Sequence, residues 1–357
     1  MSCQSFLGGS TYSIGYAMNK NLKTKMRSII VSILLIHLLL ITACHNLEPK
    51  SPMLTNNKFK EGFVESDKVK LHYLDWGGEG QVLILISGLG DTPFLFQMLA
   101  EELSPGFRVI AYSRRNHGKS ESKEEKYDNE ALVSDLKLLI DSLKIDKANL
   151  LGWSLGGNEI TEFASLYPDR VGKLIYFEAG YDLSDGGFAK LLANMPKPFL
   201  PDSSVMKSLD NYREWYHHFW FGDVKWNNSL EANLLASVQV NSDGSVKTIP
   251  NDDVFKSILK EAMNYRRSYE RVQAPSLVIY TKPFFHPFDN KPATVELYDS
   301  IESNIVSPWR SANKKRIEQE LRNAVIVEAP NGSHTSFLFL SNDFLVNTIS
   351  SFLKSKK

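Results

Sequence analysis

A glycine-rich turn between a strand and a helix constrains the fold of this chain more than any other stretch. The apolar run at 148–151 predicts a short buried strand, and residues 158–167 have the character of a helix. Between them, residues 152–156 read Gly-Trp-Ser-Leu-Gly, the pattern G-x-S-x-G. In this context a tight turn holds the serine in a strained conformation, and the glycines let strand and helix pack closely. We therefore expect the Ser154 hydroxyl to stand at the carboxyl edge of a sheet, beside a helix N-terminus.

The composition indicates a globular protein and gives no sign of a nucleic-acid partner. The chain has 357 residues, with 41 Lys and Arg against 41 Asp and Glu, so its formal net charge is zero. Its two cysteines, Cys3 and Cys44, both stand near the N-terminus. A disulfide or a thiolate metal site is therefore excluded from the rest of the chain. The length suffices for one large domain or two smaller ones, with a sizeable core.

Residues 1–43 have the pattern of an export signal. Four basic residues between 20 and 27 precede an apolar stretch at 28–42, which is short for a membrane span. The stretch runs into Ile-Thr-Ala-Cys at 41–44 and resembles the lipobox of bacterial lipoproteins, with translation starting at Met18 or Met26. That resemblance implies cleavage before Cys44, lipidation of Cys44, and a protein anchored to a membrane of the cell envelope. An ordinary signal peptide or an uncleaved anchor helix stays as the alternative, and 44–60 is expected to be a flexible tether.

Strands and helices alternate in the pattern of residues 61–183. A mostly alternating pattern at 69–76 predicts an antiparallel edge strand, whereas continuous apolar runs at 82–86, 107–112 and 171–177 predict strands buried on both faces. Apolar residues at helical spacing between 132 and 143 predict a helix. This order predicts an α/β protein with a mostly parallel, doubly wound sheet.

The motifs at the predicted strand ends resemble those of the α/β-hydrolase family over residues 63–357. Residues 87–90 read Ser-Gly-Leu-Gly, residues 114–120 read Arg-Arg-Asn-His-Gly-Lys-Ser, and the G-x-S-x-G turn and a late histidine follow. Many relatives have histidine where this chain has Ser87 and aspartate where it has Ser113. The resemblance implies a Ser-His-acid triad with Ser154 as nucleophile. It also implies an oxyanion hole formed by the backbone N–H groups of Leu89 and Leu155, with no metal and no cofactor.

His334 is the candidate general base. It follows a predicted apolar strand and precedes the last predicted helix, which is where this fold carries its catalytic histidine. His117 lies in the loop after the fourth strand, where we expect it to pack or cap rather than react. His217 and His218 fall in the predicted cap.

The triad acid is missing from its usual position. After the strand at 276–280, relatives often carry Gly-x-x-Asp, but this chain has Thr281 in place of the glycine and Phe284 in place of the aspartate. If the chain has a triad, its acid must therefore lie elsewhere in the sequence.

Glu178 is the first choice for this acid. It ends the preceding strand, 24 residues after Ser154, and its position resembles that of the acid in a subgroup of haloalkane dehalogenases. A carboxylate buried there is costly unless a group such as His334 pairs with it. Asp289 and Asp182 stay open as alternatives.

Residues 184–272 are expected to form a helical cap inserted into a hydrolase core made of 61–183 and 273–357. Six aromatic residues lie between 212 and 221. Most of them should form the core of the cap, while a few should line a pocket for an apolar or aromatic acyl substrate. The aromatic stretch 284–288 is a candidate second wall.

Together these patterns predict a serine hydrolase that cleaves a carboxylic ester or related acyl compound through an acyl-enzyme intermediate. Hydrolysis of lactones, thioesters or carbon–carbon bonds stays open, because a fold does not define a substrate. A non-catalytic binding lipoprotein on the same scaffold is an alternative from another class. Only the missing aspartate at position 284 supports it.

Overall fold

A computed structural model describes residues 58–195 and 200–355. The expected export signal at 1–43, the lipidation site Cys44 and most of the expected tether at 44–60 lie outside these residues. Among the helices of the described residues, none has the length and apolar character needed to cross a bilayer.

One large sheet organises the described part of the chain. The strands are, in chain order, β1 (Lys60–Glu65), β2 (Val69–Gly77), β3 (Val82–Ile86), β4 (Arg108–Tyr112), β5 (Glu121–Ser122), β6 (Ala148–Trp153), β7 (Val171–Phe177), β8 (Val238–Val240), β9 (Val246–Thr248), β10 (Ser276–Tyr280) and β11 (Ala324–Glu328). The sheet has the order β1-β2-β4-β3-β6-β7-β10-β11, with β5 paired to β2. β2 is antiparallel to its neighbours, and from β4 onward all neighbours are parallel. This arrangement confirms the α/β fold with a mostly parallel sheet.

In the sheet, β3 lies between β4 and β6, so the chain adds β4 on one side of β3 and later adds β6 on its other side. The carboxyl end of β3 is therefore a switch point of the topology, where open α/β sheets bind ligands.

Helices cover both faces of the sheet. They are α1 (Gln97–Leu103), α2 (Asn129–Ser142), α3 (Gly156–Leu166), α4 (Gly187–Ala193), α5 (Leu209–Phe221), α6 (Asn228–Ala236), α7 (Asp252–Asn264), α8 (Pro292–Ile301), α9 (Ser307–Glu320), α10 (Phe337–Leu340) and α11 (Asn342–Lys354). Alternate residues of β3 point into different cores: Ile84 packs in a cluster with α2, α3 and α9, and Leu83 in a cluster with α1 and α11. Burial on both faces explains why the central strands are continuous apolar runs.

Between β7 and β10 the chain forms α4, α5, α6 and α7 and also the antiparallel hairpin β8–β9. The segment expected to form a helical cap thus contains a short hairpin besides its helices. Each of its strands is only three residues long, too short to show an alternating pattern. The turn of the hairpin has residue types that are typical of turns. Asp243 accepts the Ser245 N–H at 2.9 Å, and Gly244 has a φ of 86°, a value that favours glycine.

Candidate active site

The turn between β6 and α3 holds Ser154 in a left-handed conformation. Its φ is +52°, and its N–H donates to the Phe177 carbonyl at 3.1 Å. A side chain on Gly152 would collide with the Gly156 carbonyl, and a Cβ on Gly156 would lie 2.7 Å from the Ile86 carbonyl oxygen. The two glycines are thus required by the close approach of strand, turn and helix. Such strain in a non-glycine residue is typical of functional sites.

Glu178 follows the neighbouring strand β7 at the same level at which Ser154 follows β6. Trp153 of β6 pairs with Phe177 of β7, so Ser154 and Glu178 both stand one residue beyond the ends of adjacent parallel strands. Glu178 also has a left-handed backbone, with φ of +45°, and its side chain is fully buried. A buried carboxylate in a strained conformation must be compensated by specific partners.

His334 contacts this carboxylate. Its Nδ1 lies 3.0 Å from Glu178 Oε2. The His334 N–H donates to the Phe284 carbonyl at 2.9 Å, and the His334 carbonyl accepts from Trp153 Nε1 at 3.1 Å. The Phe284 ring, standing where relatives carry the acid, stacks on the imidazole with 4.3 Å between ring centroids. Glu178 and the Phe284 ring therefore contact the imidazole itself, while the two backbone hydrogen bonds hold the main chain of His334.

Three further groups hold Glu178 in its charged form. The Thr281 N–H donates to Oε1 at 2.5 Å, Tyr181 OH donates to Oε2 at 3.0 Å, and Arg310 Nη2 lies 4.0 Å from Oε1. Burial raises the pKa of the Glu178 carboxyl, but the hydrogen bond with His334 and the charge of Arg310 outweigh it and hold the pKa below its ordinary value. Glu178 is therefore an anion at neutral pH.

The other candidates lie elsewhere. Asp289 pairs with Lys291 Nζ at 2.9 Å, and Asp182 accepts from Ser184 Oγ at 2.7 Å and from the Arg316 guanidinium. His117 is buried, with Nδ1 3.0 Å from the Arg115 carbonyl oxygen, and does not line the cavity described next. Burial lowers the pKa of His117 to about 3. Of the three carboxylates weighed from the sequence, Glu178 is the one in contact with His334.

Ser154 and His334 line the same cavity, whose volume is about 490 Å³. Between the Ser154 hydroxyl and the His334 ring no hydrogen bond is recorded in the described residues; bonds of this kind often tighten only when a substrate binds. Phe284 and Phe285 form part of the wall, as expected from the sequence. Most of the remaining wall comes from apolar side chains of the inserted segment, among them Leu191, Met195, Tyr212, Trp220, Phe255 and Leu259.

The two backbone N–H groups expected to bind an oxyanion both belong to cavity-lining residues. Leu89 follows β3 and Leu155 precedes α3. For neither N–H does the described part of the chain provide a hydrogen-bond acceptor. Where two such donors point at one atom beside a helix N-terminus, each can stabilise a developing negative charge by about 3 kcal/mol.

Arg114 holds the loop that carries Leu89. Its guanidinium donates to the Ser87 carbonyl at 2.8 Å and to the Gly88 carbonyl at 3.1 Å, and Nε donates to Glu159 Oε1 at 2.8 Å. Both ends of this ion pair are buried. The motif at 114–120 does not by itself indicate this role, because the partners of Arg114 lie on two other elements.

Replacing Arg114 by methionine is expected to lower the free energy of unfolding by about 3 to 5 kcal/mol, measured by urea denaturation. The change leaves the buried Glu159 carboxylate and two carbonyls without their donor. The exposed Arg271 serves as matched control, and Arg271→Met should shift the same quantity by about 0.5 kcal/mol or less. Similar losses in both variants would contradict the anchoring role.

Asp91 is an acidic group of the cavity wall and lies near Ser154. A methyl group placed on Gly88 would lie 3.4 Å from Asp91 Oδ2 and 3.5 Å from Ser154 Cβ. Asp91 Oδ1 accepts from Asn233 Nδ2 at 3.0 Å. Burial raises the pKa of the Asp91 carboxyl to about 6, although the Asn233 hydrogen bond and the charge of Arg114 lower it.

This pKa makes Asp91 a source of pH-dependent instability. The folded state binds a proton more tightly than the unfolded state, so Asp91 lowers stability as pH rises from about 4 to about 6, and the loss persists above that range. At pH 8 we therefore expect Asp91→Asn to raise the free energy of unfolding by about 2 kcal/mol, and at pH 4 to leave it nearly unchanged. Urea titrations at both pH values measure this. A variant that is equally or less stable at pH 8 would contradict it.

A family model for the alpha/beta hydrolase fold matches residues 81–297. The chain is 33% identical over 120 residues to a 2-hydroxy-6-oxononadienedioate/2-hydroxy-6-oxononatrienedioate hydrolase of Paraburkholderia phymatum, covering 32% of this chain and 41% of the relative. It is 32% identical over 123 residues to a bifunctional esterase/perhydrolase of Acinetobacter calcoaceticus, covering 33% of this chain and 44% of the relative. The chain thus spans about two fifths of the length of these curated relatives.

Among solved structures, E-2-(acetamidomethylene)succinate hydrolase is similar with a TM-score of 0.59 and 17% identity, over 83% of this chain and all of that one. At this identity the likeness concerns the fold alone. Because the family model spans more than half of the chain and the sheet, turn and histidine have the matching order, the chain belongs to the alpha/beta hydrolase fold family.

Proposed function

We propose that the protein is a serine hydrolase that cleaves a carboxylic ester or a related acyl compound. The observation that carries the proposal is the contact of 3.0 Å between His334 Nδ1 and the buried Glu178 carboxylate, two residues that line the same cavity as Ser154. A carboxylate on Nδ1 presents the other ring nitrogen as a base, which is the arrangement that a serine nucleophile needs.

The proposed reaction has two halves. Ser154 Oγ attacks the acyl carbon while His334 takes its proton, and the N–H groups of Leu89 and Leu155 bind the oxyanion. His334 then gives the proton to the leaving alcohol, so that an acyl-serine remains. Water, deprotonated by His334, attacks this ester and releases the acid and the free serine. Glu178 stays ionised throughout and stabilises the charged imidazole.

The cavity supports a small substrate with an apolar acyl or alcohol part. Its volume of about 490 Å³ lies in the range of small-molecule sites, and its walls are mainly aliphatic and aromatic. One relative is named as an esterase/perhydrolase. A panel of p-nitrophenyl esters with acyl chains of increasing length tests this. Hydrolysis that saturates with short and medium chains supports the proposal, and a complete lack of turnover favours a binding protein.

Carbon–carbon bond hydrolysis is a second candidate. The relative from Paraburkholderia phymatum is a hydrolase of dienedioate and trienedioate compounds, and the same triad and oxyanion donors could serve such a reaction. Loss of the absorbance of a conjugated dienedioate on incubation with the protein, compared with ester turnover under the same conditions, separates the two activities.

We also propose that the mature protein is lipid-anchored through Cys44 in the cell envelope. The support is the sequence alone: the basic cluster, the apolar stretch and Ile-Thr-Ala-Cys at 41–44. Expressed in a bacterium fed radiolabelled palmitate, the wild-type protein should carry label, and Cys44→Ala should lose it. Cys3→Ala is the matched control and should keep the label. Equal labelling of Cys44→Ala and wild type would overturn the anchor.

A further inference from the structure

The carboxyl of Asp91 stands where a negative charge is unfavourable for the proposed reaction. It shares the cavity with Ser154 and with the oxyanion donor Leu89. The oxyanion formed during acyl transfer is also negative, and two like charges in a site of low dielectric repel each other. For a hydrolase of simple apolar esters, a charged carboxyl at this place would oppose formation of the oxyanion.

A polar network holds this carboxyl in position from the inserted segment. Asn233 of α6 donates through Nδ2 to Asp91 and accepts through Oδ1 from the Thr92 N–H at 2.8 Å and the Thr92 hydroxyl at 2.7 Å. The Tyr216 hydroxyl of α5 accepts from Asn233 Nδ2 at 2.8 Å. Asn233 is fully buried. The network therefore positions the carboxyl in addition to joining two parts of the fold.

Nearby positive charge does not neutralise Asp91. The charge of Arg114 lowers the pKa of Asp91, but its guanidinium already pairs with Glu159. Lys256 and Arg267 line the same cavity. Among the described residues, no ion pair of Asp91 is recorded. A ligand that brings a hydrogen-bond donor would satisfy the carboxyl and reduce its repulsion of the oxyanion.

We propose that Asp91 is a specificity-determining residue that binds a hydroxyl or ammonium group of the substrate close to the scissile carbonyl. This inference rests on the proposed function, and it narrows the substrate class to acyl compounds with one hydrogen-bond donor on an otherwise apolar body. A site built to hydrogen-bond a substrate group rejects the analogue that lacks the group, because the buried polar atom is then left unpaired.

Matched esters test this directly. The p-nitrophenyl esters of β-hydroxybutyrate, β-aminobutyrate and isovalerate have similar shape and differ in a hydroxyl, an ammonium or a methyl group; a γ-substituted set covers the next chain position. Wild-type protein should show a kcat/KM at least tenfold higher for one donor-bearing ester than for its methyl analogue. Asp91→Leu should abolish that preference. Asp67→Asn, an exposed carboxylate on the turn between β1 and β2, should preserve it.

Asp91→Asn separates the two donor groups and serves as a near-isosteric variant if Asp91→Leu does not fold. Its side-chain oxygen still accepts from a hydroxyl, so a hydroxyl preference should survive in it, whereas an ammonium preference should fall at least tenfold. If the kcat/KM of the donor-bearing ester divided by that of its methyl analogue is the same in wild type and in both Asp91 variants, the inference is overturned. That result would leave the proposed hydrolase intact. If wild type hydrolyses none of the esters, the proposed function fails. The same esters then act as ligands. The ratio of the Kd of a donor-bearing ester to that of its methyl analogue should change in Asp91→Leu for either donor, and in Asp91→Asn for an ammonium only.

Discussion

Ser154→Ala is expected to reduce ester hydrolysis by a factor of about 10⁴ to 10⁶ in kcat, with a small change in KM. The alanine removes the atom that attacks the acyl carbon and leaves the cavity and the oxyanion donors in place. Residual turnover above the rate in water should then come from these donors and from binding alone. Steady-state assays with a p-nitrophenyl ester measure the loss.

Covalent labelling tests the same residue without a substrate. A fluorophosphonate probe should label wild type on Ser154, and labelling should vanish in Ser154→Ala. Ser142→Ala, which changes an exposed serine at the end of α2, should label like wild type. Labelling of Ser154→Ala at the wild-type rate would remove the nucleophile from the proposal.

Glu178→Gln is expected to reduce kcat by a factor of about 10³ to 10⁴. The amide is nearly the same size but cannot stabilise the imidazolium that forms when His334 takes the Ser154 proton. It can also donate to Nδ1 and so favour the wrong tautomer of the ring. The loss should appear in kcat, with KM nearly unchanged, because the effect concerns the transition state.

Two variants make this test specific. Glu178→Asp keeps the charge but shortens the side chain, so its activity should lie between those of wild type and Glu178→Gln. Asp289→Asn removes the alternative acid, which pairs with Lys291, and should change kcat about twofold or less. A larger loss in Asp289→Asn than in Glu178→Gln would reassign the acid.

Much of the fold could be predicted from the sequence because its signals are local. The strands at 82–86, 171–177 and 276–280 have the predicted bounds, since continuous apolar runs bounded by polar residues define buried strands. The turn at Ser154 could be predicted from the sequence because it requires glycine at positions 152 and 156. His334 could be singled out because it lies between the last predicted strand and the last predicted helix, where the family that the chain resembles carries its catalytic histidine.

Only the tertiary structure decided which polar groups meet. Glu178 and His334 are 156 residues apart, and Asp91 and Asn233 are 142 apart. From the sequence, Glu178 was one of three candidate carboxylates, while the partners of Arg114 and Asp91 were not identified at all. Local periodicity reports which face of an element is buried. The pairing of polar side chains depends on register, strand order and the placement of the inserted segment, and these emerge only when distant parts of the chain pack together.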